Sequence, residues 1–143
     1  MNEERASFEA FYKNIGKIYC PYFKDYIHFT DVGIDHLRFK NKFTLRTEKD
    51  RDMRIKMLPR AIHLIGKTVT LQNRSYRRRF ETRYINSRKE NILTDVKYYE
   101  FVAIIEERHI RVVIKQIENK EKVFLSVIPL FKQKMPLEES DIL

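Results

Sequence analysis

Three apolar, β-branched stretches near the C-terminal end constrain this chain most: residues 97–105, 110–117 and 123–128. Each is rich in Val, Ile, Phe and Tyr, and only the short polar turns EERH and ENKE separate them. Connections that short join antiparallel neighbours, because a parallel crossover needs a dozen residues or more. Upstream, Tyr76–Ile85 alternates in strand register. Arg77, Arg79, Glu81 and Arg83 fall on one side, and Tyr76, Arg78, Phe80, Thr82 and Tyr84 on the other. Residues 68–72 read as a short β-branched strand, and residues 86–95 as a polar break.

The N-terminal half has helical spacing. Phe8, Phe11, Tyr12 and Ile15 recur at three and four residues, and Gly16 is a natural stop. Cys20-Pro21 begins a turn into a short strand around Ile27 and Phe29. Thr30 or Asp31 then caps a helix carrying Ile34 and Leu37, which ends by about residues 41–44. A second helix is expected over about residues 50–65, with Met53, Met57, Ala61, Leu64 and Ile65 inward. Arg51, Arg54, Lys56 and Arg60 face solvent or ligand. Pro59 is expected to bend or split that helix, and Gly66 to end it.

Helices first and a meander afterwards define an α+β class, with N-terminal helices packed on one face of a four- to five-stranded antiparallel sheet. The 143 residues are expected to form one domain: a helix and turn over 1–20, a core over 21–131 and a loosely ordered tail over 132–143. Ile104, Val112, Ile114 and Val127 are candidates for the sheet core.

Charge narrows the partners. Residues 36–89 hold 17 Lys and Arg against 4 Asp and Glu, a net of +13, while the remaining residues net −4. A basic middle between acidic flanks points to a polyanion, most simply nucleic acid. No apolar run approaches the ~20 residues of a membrane span, so no membrane partner is expected. The N-terminus lacks the apolar core of a secretory signal, and Cys20 is the only cysteine, which excludes an internal disulfide. A cytoplasmic setting is the expectation.

The stretch Tyr26–Lys40 brings His28, His36, Arg38 and Lys40 into one neighbourhood. Imidazoles suit proton transfer near neutral pH, and guanidinium groups suit phosphate oxygens. A histidine on an amphipathic strand or helix is also an ordinary packing residue. Asp35 need not orient His36, since adjacent helical side chains diverge. His63 and His109 read as structural or exposed. HExxH, CxxC, P-loop and GxGxxG patterns are absent from the sequence, so no metal or other cofactor is expected. The run Arg74–Lys89 interleaves cations with Tyr76, Phe80 and Tyr84. Its arginines Arg74, Arg77, Arg78, Arg79, Arg83 and Arg88 are expected to face RNA, and its aromatics mainly the core.

Ile27-His28-Phe29-Thr30, then Ile34-Asp35-His36-Leu37, then Leu58-Pro59, and finally Ser126 within Phe124–Pro129 follow one another in an informative order. The order resembles the barnase–EndoU–colicin–RelE superfamily of small metal-independent ribonucleases, in its phage and toxin-like branches, over about residues 22–131. Many relatives carry a second His or Arg-His position after the first helix, where this chain has Arg38 and Lys40. The resemblance implies a toxin-like RNA endonuclease that cleaves through a 2′,3′-cyclic phosphate, with His28, His36, Arg38 and Ser126 as the catalytic set. The alternatives are a non-catalytic RNA-binding module of the same fold, or a basic protein that docks an acidic antitoxin-like partner or the ribosome.

Overall fold

The computed structural model describes residues 2–40 and 44–130, with residues 2–7 and 82–85 described by their backbone alone. The expected tail over 132–143 lies outside the described residues. The elements run α1 (Asn2–Ile15), β1 (Lys17–Cys20), β2 (Asp25–His28), α2 (Asp31–Arg38), α3 (Glu48–Lys67), β3 (Asn73–Ile85), β4 (Arg88–Ile105), β5 (Arg108–Ile117) and β6 (Lys122–Pro129). This is an α+β protein.

The sheet corrects the expectation of four or five antiparallel strands. It has six, in the order β1-β2-β6-β5-β4-β3. It is mixed, because β2 lies parallel to β6, with Ile27 beside Lys122 and His28 beside Val123. Lys17–Cys20, expected only to approach a turn, pairs antiparallel with β2. The expected break at 86–95 shrinks to a two-residue turn. Asn86 and Ser87 take positive φ of 51° and 67°, the hand that matches strand twist in a hairpin. β4 can therefore start at Arg88 and run for 18 residues. Residues 68–72 form no strand.

The helix boundaries follow from local chemistry. Gly16, at φ +66°, stops α1, and its carbonyl accepts the Phe29 N–H at 2.8 Å. Thr30 caps α2 through the Val32 N–H, and Thr47 caps α3 through the Asp50 N–H. Pro59 does not split α3, and Gly66 lies within it. Pro59 sits on the exposed side, where water can take up the carbonyl that loses its N–H donor.

One core cluster joins Tyr12, Ile34, Leu37, Leu58, Ala61, Leu64 and Ile65 from the helices to Ile27, Tyr99, Phe101, Ile110, Val112, Ile114, Phe124 and Val127 from the strands. A smaller cluster holds Val96, Tyr98, Val113 and Leu125. Strand alternation separates the two sets, with one irregularity. Phe124 and Val127, three apart, both enter the main core. β6 permits this with an extra residue, for Val113 pairs with Ser126 while Ile114 pairs with Phe124. Ile104, expected inside, is 69% exposed, because Ala103 and Ile105 take the inward positions on β4.

Gly33 sets how closely α2 lies against β6. A Cβ there would meet the Tyr12 hydroxyl and come within 2.7 Å of the Phe124 carbonyl oxygen. Alanine favours an isolated helix over glycine by ~1 kcal/mol, but overpacking a tight contact costs ~1–3 kcal/mol. Gly33→Ala is therefore expected to lower the urea midpoint with an unchanged slope. A midpoint at or above that of the parent protein would show that the approach is looser.

Candidate functional site

Two regions carry the chemistry-bearing residues. The first begins at α2, whose buried face includes His36 and Leu37. The His36 carbonyl accepts a hydrogen bond from Arg46 Nε at 2.9 Å. Arg46 Nη1 reaches Asp50 Oδ2 at 3.3 Å, and Asp50 Oδ1 accepts from Arg54 Nε at 2.8 Å. Arg54 Nη1 then donates to Ser126 Oγ at 2.8 Å. A continuous polar chain thus ties α2 to β6 through α3. Arg54, expected to face solvent or ligand, is buried within it, as is Arg46.

Asp50 lies between the two guanidinium groups. Burial pushes its carboxyl up, but the hydrogen bond and charge of Arg54, joined by those of Arg46, outweigh that and leave it below the ordinary range. Sequence reasoning did not single out this network. Its signals were the Thr47 cap three residues before Asp50 and the Asp50–Arg54 spacing of four.

The expected catalytic set is distributed around this network. His36 and Ser126 are 5% and 0% exposed. Arg38 is ion-paired with Glu9 of α1. His28 is 32% exposed, with Nδ1 3.6 Å from Glu121 Oε2. Its neighbours Ile27 and Phe29 enter the core that holds α2, so alternation directs His28 to the other side of the sheet. Lys40 is exposed just after α2, where its N–H donates to the Thr44 carbonyl at 2.8 Å.

The second region is the β3–β4 ribbon, paired from Asn73↔Glu100 to Ile85↔Arg88. One face carries Arg74, Tyr76, Arg78 and Phe80, opposite Tyr99, Lys97, Asp95 and Leu93. Tyr76 is 60% and Phe80 71% exposed, which corrects the expectation that these aromatics face the core. The main core takes Tyr99 and Phe101 from β4 but, among the described residues, none from β3. The Arg74 guanidinium and Lys97 ammonium lie 5.5 and 5.9 Å from the Tyr76 ring centre. Arg78 Nε pairs with Asp95 Oδ1 at 2.9 Å, both well exposed.

On the other face, Arg79 Nη1 donates to Tyr98 Oη at 3.2 Å, and Glu81 meets Lys115 of β5 at 3.2 Å. Burial pushes the Tyr98 hydroxyl up, against the hydrogen bond and charge of Arg79. Arg79 is thus a partner of Tyr98 as well as a surface cation. Arg77 and Arg88 are exposed. Arg83 pairs with Glu90 in the ladder, and its side chain lies outside the described residues.

Among the described residues, no group of three or more His, Cys, Asp or Glu is arranged to hold a metal ion, and no helix is long and apolar enough to cross a membrane. Comparison with protein-family models matched none, and comparisons with curated proteins and solved structures likewise returned no match.

Asp50→Ala is expected to cost about 2–3 kcal/mol, below the ~3–5 of a fully buried pair because Asp50 is 37% exposed. The folded carboxyl titrates below its unfolded value of ~3.9. Its stabilisation is therefore complete above that value and lost as pH falls through the lower folded one. Urea titrations should show the gap between parent and Asp50→Ala closing in that acidic window. A gap independent of pH would remove Asp50 as the charged centre of the network.

Proposed function

We propose that this chain binds RNA through its β3–β4 ribbon. The observation that carries the reading is the row of exposed cations Arg74, Arg77 and Arg78 on one edge strand, continued by Arg88 and Lys89 past the turn. Two carboxylates of the ribbon, Glu81 and Glu100, meet Lys115 and Arg111 of β5 rather than the ribbon's own arginines. Charge on the ribbon is thereby left available for a polyanion.

Cleavage by 2′-OH transesterification, without a metal, is the second reading. It draws on the ribonuclease resemblance and on the Arg54–Ser126 hydrogen bond, which joins a guanidinium and the last-strand serine to the helix bearing His36. Burial of His36 and Ser126, with His28 across the sheet, makes binding without cleavage the reading the geometry favours. In either case the ribbon supplies the affinity.

Replacing Arg74, Arg77 and Arg78 together by Ala should weaken RNA binding and flatten the plot of log K against log salt by up to about 2, from ~0.7 per phosphate contact on a single strand. An unchanged slope would move the binding face elsewhere. Incubating the protein with mixed RNA in EDTA should leave the RNA intact. Cleavage to cyclic or 3′-phosphate ends, reduced by roughly 10²–10⁴-fold in His36→Ala, would instead establish the second reading.

A further inference from the structure

We infer that the face of the β3–β4 ribbon bearing Tyr76 and Phe80 is a base-stacking platform, so that the RNA it takes is single-stranded. The inference rests on the RNA-binding reading and adds the class of RNA. Along β3, Arg74, Tyr76, Arg78 and Phe80 alternate cation and ring on one face. A strand advances ~3.3 Å per residue, so each cation stands ~6.6 Å from the next ring. A base lying on a ring would then have its phosphate near an arginine. A duplex offers only phosphates to such a face, since its bases are already stacked on each other.

The rings are placed for contact with a partner. This chain buries Tyr98, Phe101 and Phe124 completely, yet leaves Phe80 at 71% and Tyr76 at 60% exposed, with Leu93 at 52% opposite Phe80. The cations near them are movable. The Arg78–Asp95 pair is exposed on both sides, at 73% and 64%, and pairs of that kind hold weakly. Arg74 and Lys97 rest on Tyr76 and can swing to a phosphate as a base takes the ring. The charged groups beside the rings are Arg74, Arg78, Asp95 and Lys97, and the exposed Asn91 amide follows Leu93 on the same face. Stacking on the rings themselves accepts any base with a free π-face. An anionic membrane surface would also attract the cations. The one-strand alternation of rings and arginines, rather than a continuous apolar face, favours nucleotides.

The chain contains no tryptophan, so Phe80→Trp installs a single fluorophore on the platform. Phe80→Leu keeps an apolar side chain and removes the π-face. Phe80 is exposed enough for both substitutions to leave folding intact. Binding is measured with oligouridylate, with a fully paired RNA duplex and with phosphatidylserine vesicles. Phe80→Leu should weaken oligouridylate binding by about 5- to 100-fold, the ~1–3 kcal/mol of one stacked base at ~1.4 kcal/mol per tenfold. It should leave duplex binding within about twofold. Phe80→Trp should retain oligouridylate affinity, and its emission should be quenched by oligouridylate and not by duplex. If Phe80→Leu weakens neither RNA, or both equally, while salt-dependent binding persists, the stacking platform is overturned and the RNA-binding reading survives. If the parent protein binds vesicles and neither RNA, both fall.

Discussion

The close seating of α2 on β6 is the contact on which the rest of the molecule depends. Gly33 has no side chain where the Tyr12 hydroxyl and the Phe124 carbonyl converge. Tyr12 uses that position to donate a 2.7 Å hydrogen bond to the Thr30 carbonyl at the start of α2. Phe29, one residue before the cap, stacks on Phe124 with ring centres 4.9 Å apart. Helix α1, the cap of α2 and strand β6 therefore share one packing point. The Arg46–Asp50–Arg54–Ser126 chain draws α3 onto the same strand two residues further on.

Much of this was legible in residue order. The strand, cap and helix over Tyr26–Arg38 follow from Ile27, Phe29, Thr30 and the Ile34–Leu37 spacing, and they lie where those residues put them. The three C-terminal strands follow from β-branched runs and turns too short for anything but antiparallel return. What escaped was nonlocal. β1 has only 4 residues and no pattern of its own, so only its pairing with β2 makes it a strand. The parallel contact of β2 with β6 joins segments nearly 100 residues apart. Ile104 and Ile105 are equally apolar, and only register decides which turns inward.

The two candidate regions were legible in different degrees. Alternation along Tyr76–Phe80 sorted the side chains of the ribbon correctly, because period two is a property of the strand itself. It said nothing of burial, which depends on how far the main core reaches across the sheet. Among the described residues that core stops at β4, and the Tyr76 and Phe80 rings remain in solvent. Around His36 the difficulty was the reverse. The charge on Arg54 suggested solvent or ligand, whereas Asp50 between Arg46 and Arg54 makes burial of both tolerable.

The place of β6 between β2 and β5 has a consequence for synthesis. The β1–β2 hairpin is complete by residue 28, but β6, the strand that pairs with β2 on its other side, begins at residue 122. Until then Ile27 and Phe29 have no β6 to pack against, and both flanks of the hairpin are unpaired. The segment from β3 to β6 is a run of neighbours that can zip locally as each strand emerges. The nascent chain thus holds β1 and β2 in waiting for β6, the interval in which exposed strand edges are most open to wrong partners.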